Sequence, residues 1–229
     1  MLHKVPIFVL GILFLSSSCS HPPSEMSGQI ATFNLGAFQF PVAGLKTVVE
    51  VVADGTKTRH TLTVLKERQY QDRPAVLVSI EPLWKGPPVA CIDSDLFAFD
   101  PSSRNFVACL KDRVERASAL PNDGQYDWPL TVGKKWSAKF RWRDRQSASK
   151  SGTVRAVYTV EKEEVISVPA GTFSALKIVG ESLWQNATIW YSKELNSVLK
   201  SDIKHKFGNP YGSSRVFSIE IVGLGVGKL

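Results

Sequence analysis

The chain has 229 residues, with 43% apolar and 21% charged side chains, a balance found in folded globular proteins and far from that of disordered, collagenous or multi-span membrane chains. Its length fits one β-rich domain with a sizeable core. Lys and Arg number 28 against 21 Asp and Glu, a formal charge of +7, which favours anionic surfaces without naming one.

Met1-Leu2-His3-Lys4 is followed by an apolar run from Val5 to Leu15 and then by Ser16, Ser17, Ser18 and Cys19. A positive start, a short apolar stretch and small residues are the parts of an export signal, and residues 1–18 read as a signal peptide. The run is about half of the ~20 residues that a membrane-spanning helix needs. Ser17-Ser18-Cys19 resembles bacterial lipoprotein signals, in which the Cys becomes the acylated N-terminus. Ser16 stands where that pattern has Leu, so cleavage as an ordinary secreted protein also fits. Acylating Cys19 would leave Cys91 and Cys109 as an even pair in an oxidising compartment. Residues 19–27 then form a lipidated start and flexible tether, and residues 28–229 a single β-rich domain. The resemblance implies an outer-membrane lipoprotein facing the periplasm, since Ser20 rather than Asp follows the Cys.

From there on, short runs with period-two alternation and many β-branched or aromatic residues lie between scattered Gly and Pro. Strands are expected at Thr47–Val52, Thr61–Lys66, Ala75–Ile80, Leu96–Phe99, Phe106–Leu110, Trp136–Arg143, Val154–Glu161, Glu164–Val168, Phe173–Val179, Thr188–Tyr191, Val198–Ile203 and Phe217–Ile221. Asp54-Gly55, Asn122-Asp123-Gly124 and Val168-Pro169-Ala170-Gly171 are turn signals. Lys193–Val198 could form one or two helical turns. The fold class is all-β: a strongly curved antiparallel sheet or incomplete barrel with few short helical turns. Cys91 and Cys109 flank the Leu96–Phe99 and Phe106–Leu110 arms, so a disulfide would clamp the base of that hairpin.

Trp128-Pro129-Leu130-Thr131-Val132-Gly133-Lys134-Lys135-Trp136, Val168-Pro169-Ala170-Gly171-Thr172-Phe173 and Trp190-Tyr191-Ser192, in that order, resemble a family of exported bacterial envelope proteins of unknown function. The resemblance covers roughly the second half of the mature chain and brings no catalytic residues with it. A weaker resemblance is to the open β-barrels of lipoprotein-sorting carriers, whose curved sheet holds an acyl chain.

Catalytic signatures for a nucleophile elbow, a P-loop or a zinc protease do not occur, so a non-enzyme is expected. No cofactor or metal is expected either: Asp93, Asp95 and Asp100 lack the Gly and distal Glu of a calcium loop, and His60 and His205 stand apart. Glu161, Glu163 and Glu164 read as a solvent-facing rim. Trp136, Phe140, Trp142 and Tyr158 fall on one sheet face, where they could be core or could line an apolar pocket. Lys139, Arg141 and Arg143 fall on the opposite face, which could be merely solvated or could meet anionic envelope lipid or polymer. Nucleic acid is not an expected partner of an exported chain. The leading expectation is a lipid-anchored envelope protein with a non-catalytic binding or assembly role; the alternative is a carrier of a lipid or other apolar ligand on the concave sheet face.

Overall fold

Paired turn residues with left-handed backbone set the first hairpins. Asp54 and Gly55 have φ of 46° and 85°, and Asp112 and Arg113 have 50° and 64°, the two-residue geometry that matches the twist of antiparallel strands. In the computed structural model, residues 40–66, 69–83, 91 and 93–226 are described. The signal segment, Cys19, the 19–27 tether and residues 28–39 lie outside them.

In chain order the strands are β1 (Leu45–Ala53), β2 (Thr56–Val64), β3 (Gln69–Tyr70), β4 (Arg73–Pro74), β5 (Val76–Glu81), β6 (Leu96–Phe99) and β7 (Phe106–Lys111). They continue as β8 (Val114–Leu120), β9 (Lys135–Asp144), β10 (Gly152–Val168), β11 (Gly171–Ser182), β12 (Gln185–Ser192), β13 (Ser197–His205) and β14 (Val216–Val226). The one helical element among the described residues is a 3₁₀ turn at Ala148–Lys150. Twelve strands form one antiparallel sheet, and β3 and β4 a small hairpin of their own. The fold is therefore all-β as expected. The sheet also closes: Val51 pairs with Thr58 of β2 on one side and with Ile219 of β14 on the other, which leaves no open edge.

Most expected strands are present, with Val154–Glu161 and Glu164–Val168 fused into β10 across a bulge between Val160 and Lys162. Strand β8 was not expected. Its sequence, Val-Glu-Arg-Ala-Ser-Ala-Leu, is poor in β-branched residues because both faces are packed: Ala117, Ser118 and Ala119 are all buried. Residues 193–196 form a turn into β13 rather than a helix, with Asn196 at φ 47°. The outer face of β5–β7 is covered by Tyr70 from the β3–β4 hairpin, packed on Leu77, Ala98 and Ala108.

Chain entry, the 100–105 turn, the 169–170 turn and the 193–196 turn lie at one end of the barrel, called the entry end. The 54–55, 112–113 and 145–151 turns, the 183–184 turn and the 206–215 loop lie at the far end. The connection from β8 to β9, residues 121–134, starts at the entry end but folds inward. Tyr126 and Leu130 are buried against Val160, Ile178 and Ile189 on the inner faces of β10–β12.

Candidate ligand site in the barrel lumen

A barrel of twelve strands is wider than its side chains can fill, and the interior holds a cavity of about 540 Å³ with a second of about 260 Å³ toward the entry end. The larger lies within the range of small-molecule sites. Its aliphatic wall includes Val49, Val51, Leu62, Val78 and Ile80; its aromatic wall includes Phe97, Phe106, Phe140, Trp142, Tyr158 and Phe217. Strand alternation puts them there. Phe140 and Trp142 of β9 turn inward while Lys139 and Arg141, which alternate with them, are exposed.

Rings connect the two chambers in series. Phe40 lies 5.9 Å from Phe99, Phe99 meets Phe106 edge-on at 6.2 Å, and Phe106 stacks on Trp142 at 5.9 Å. Tyr158 stacks on Trp136 at 5.3 Å and its ring lies over Gly180, where a Cβ would sit 2.5 Å from Tyr158 Cε1. Of the four aromatics singled out in the sequence, Phe140, Trp142 and Tyr158 line the larger chamber. Trp136 instead donates through Nε1 to the Gly124 carbonyl at 3.1 Å and packs with the inward-folded connection.

That connection carries the polar groups at the junction of the chambers. Asn105 Nδ2 donates to the Tyr126 carbonyl, Tyr126 N–H donates to Asn105 Oδ1, and Trp128 Nε1 donates to the Ser103 carbonyl. Lys134 Nζ reaches the Asp127 carboxylate at 3.1 Å and the Pro129 carbonyl at 3.1 Å. Gly124 has φ of 60°, and a Cβ there would meet Ala138 Cβ at 2.5 Å, so glycine is needed for both conformation and space. The result is that Asp123 and Gln125 line both chambers. Asp123 Oδ1 accepts from the N–H groups of Phe106 at 3.0 Å and Gln125 at 3.2 Å. Burial in the lumen pushes the Asp123 carboxyl up to about 7, against the opposing pull of those backbone bonds.

At the far end, Trp142 Nε1 donates to the Tyr211 hydroxyl at 2.9 Å, which donates to Asp144 Oδ2 at 2.6 Å. Burial and that carboxylate both raise the Tyr211 phenol. His205 also lines the chamber, with Nδ1 2.9 Å from the Gly212 carbonyl. A carbonyl only accepts, so Nδ1 carries the proton and Nε2 is the acceptor. Burial lowers the His205 pKa, which favours this neutral form.

Cys91 and Cys109 form a disulfide with Cα atoms 5.9 Å apart, joining the segment before β6 to β7 beside the larger chamber. Outside the barrel, Lys139 and Arg141 are exposed and Arg143 is half-buried; among the described residues none of the three has an acidic partner. Register sets Lys139 directly opposite Arg155. Lys134 and Arg145, near this stripe in sequence, are instead committed to Asp127 and Glu115. Glu161, Glu163 and Glu164 pair with Lys177, Lys193 and Lys162 on the outer surface. Asp95 accepts from the Asp112 N–H, and Asp100 Oδ1 from the N–H groups of Ser102 and Ser103, so these acids organise turns.

Sequence reading missed Asp123, Gln125 and Asn105 as parts of a site. Asn122-Asp123-Gly124 was legible as a turn, and Asn122 Oδ1 does accept from the Gly124 N–H. Nothing local says that this turn points into a barrel.

No family model matches the chain, and neither does any curated protein. Among solved structures it is similar to a protein of Bacteroides fragilis inferred to be exported, with a YmcC-like fold, at 12% identity and a TM-score of 0.47, over 83% of this chain and 99% of that one. A protein of Parabacteroides distasonis inferred to be a lipoprotein gives 12% identity and 0.45, over 83% and 99%. The hypothetical lipoprotein YmcC of Escherichia coli gives 12% and 0.41, over 80% and 86%. Likeness of this size assigns no activity, ligand or partner to the present chain.

Proposed function

We propose that the chain is a non-catalytic carrier that holds a lipid or other apolar small molecule inside its barrel. The observation that carries this reading is the apolar chamber of about 540 Å³, walled by inward-facing Val, Leu, Ile, Phe and Trp. Burying an apolar ligand there releases water from both surfaces, worth roughly 25 cal/mol per Å². Polar lumen groups are engaged mainly with backbone: His205 with Gly212, Asn209 with Trp184, Asp123 with Phe106. That engagement supports holding a ligand over transforming one.

The test is to express the domain without its signal, purify it, denature it and identify organic-soluble molecules by mass spectrometry. A stoichiometric apolar compound is expected. Ala156→Phe, at a buried lumen position opposite Ala138, should fill the chamber and lose that compound while remaining folded. Wild-type protein that is empty and binds no apolar fluorophore would overturn the reading.

Export and acylation at Cys19 would place this carrier on the cell envelope, a proposal supported by the Ser17-Ser18-Cys19 site and the short apolar run before it. The surface of Lys139, Arg141, Arg143 and Arg155 supports a further contact with anionic envelope lipid, since like charges opposite one another in a sheet repel until an anion intervenes.

A further inference from the structure

We propose that the lumen's ligand is an uncharged amphiphile whose apolar chain ends in a hydroxyl, and that this end is held by Asp123 and Gln125 where the two chambers meet. The proposal rests on the carrier reading and adds the chemistry of the ligand's polar end.

Asp123 and Gln125 are the polar groups common to the walls of both chambers, so a chain lying along the barrel passes them. Asp123 Oδ1 is committed to the Phe106 and Gln125 N–H groups, whereas Oδ2 meets no side-chain donor among the described residues. Gln125 Nε2 donates to the Tyr126 hydroxyl at 2.7 Å, leaving Oε1 as an acceptor. Both residues are half-buried in the chamber walls, so these oxygens are open to whatever occupies the lumen, and a purely apolar occupant would strip them of water without replacing it.

Charge decides which kind of polar end fits. The titratable groups facing Asp123 are the phenols of Tyr126, from the inward connection, and Tyr158, from β10. Both are neutral near pH 7. Arg104, the one cation lining either chamber among the described residues, donates to the Asn196 carbonyl at 3.0 Å and lies over the Phe40 ring at 5.7 Å. With no cation against it, burial favours a neutral Asp123 carboxyl. Below its raised pKa of about 7 the Asp123 carboxyl is neutral and offers one O–H donor, and Gln125 Oε1 offers one acceptor. A hydroxyl accepts one hydrogen bond and donates another, so it satisfies both. An ether can use only the first, and an alkyl end neither.

The test is displacement of N-phenyl-1-naphthylamine, an uncharged apolar fluorophore, from the full soluble domain by 1-decanol, decyl methyl ether, decylammonium and decanoate. 1-Decanol is expected to compete at roughly tenfold lower concentration than the ether, the value of one good hydrogen bond. Gln125→Leu removes the acceptor that only the alcohol can use and should abolish that preference. Asp123→Leu removes the donor that alcohol and ether both use and should weaken both competitors, while Asp123→Asn, which keeps both an acceptor and a donor, should retain the wild-type pattern. Equal competition by alcohol and ether, a preference that survives Gln125→Leu, or an Asp123→Leu variant that binds both compounds as wild type does would overturn the hydroxyl proposal with the carrier reading intact. Decylammonium or decanoate as the tightest competitor would overturn the uncharged end. Failure of the fluorophore and every decyl compound to bind would overturn the carrier reading as well.

Discussion

The Asn105 side chain is hydrogen-bonded to both backbone groups of Tyr126: Nδ2 donates to the carbonyl at 3.0 Å and Oδ1 accepts from the N–H at 2.7 Å. An amide side chain here takes the place of a neighbouring strand. It lets a stretch with no ladder partner of its own lie buried inside a barrel without orphaned donors and acceptors. Asn105 is itself 4% exposed, so the pair is shielded from water. Asn105→Ala should remove both bonds and leave two buried backbone groups unsatisfied, costing about 2–3 kcal/mol. Urea unfolding would measure it. A loss no larger than that of a surface Asn→Ala change would show that the connection is held by its aromatic packing alone.

Asp123 makes a pH prediction with a definite sign. Its carboxyl lies at about 7 in the folded chain against an ordinary 3.8, so between those values the folded state holds the proton more tightly than the unfolded state. Its contribution to stability is complete below about pH 4 and is lost as pH rises to about 7, an effect of no more than roughly 4 kcal/mol. Asp123→Asn keeps an acceptor for the Phe106 and Gln125 N–H groups and has no proton to lose. The variant should gain stability relative to wild type as pH rises over that window. Parallel unfolding curves at both ends of it would count against the lumen raising this group.

The Cys91–Cys109 disulfide closes a loop with a sequence separation of 18. In the chain-entropy model such a loop contributes about 3 kcal/mol. Non-reducing peptide mapping should find the two peptides joined, and the double change Cys91→Ala with Cys109→Ala should lower stability by about that amount. Free alkylation of both thiols in native, unreduced protein would contradict the bond.

The outer basic surface should bind anionic vesicles weakly and additively, because exposed pairings are individually small and are screened by salt. Sedimentation with anionic and neutral vesicles at low and moderate salt would read this. The triple change of Lys139, Arg141 and Arg143 to Ser should abolish a salt-sensitive preference for anionic vesicles. These residues lie on the outer sheet face, so ligand binding in the lumen should not change. Binding that the triple change leaves unaltered would make the stripe a solvated face.

Acylation at Cys19 predicts that Cys19→Ala releases the full-length protein from membranes and that mass spectrometry finds the mature chain beginning at a modified Cys19. A mature N-terminus beyond that residue would mean ordinary secretion.

Local sequence determined the all-β class, most strand positions and the two faces of β9, because side-chain alternation has a period of two and any half-buried strand must display it. Trp136, Phe140 and Trp142 against Lys139, Arg141 and Arg143 could be read from the alternation alone. The even Cys pair was legible because the hairpin between its members is local. Strand β8 was not, since a strand buried on both faces between neighbours can be built from Ala and Ser and loses its pattern. Closure of the sheet depends on β1 meeting β14, a pairing of residues such as Val51 and Ile219 that no short window contains. The candidate site depended on that closure. Asn122-Asp123-Gly124 is the same turn whether it lies on a rim or inside a barrel; only the long-range contacts of Asn105 with Tyr126 and of Trp136 with Gly124 turn it inward and give Asp123 an apolar lumen to face.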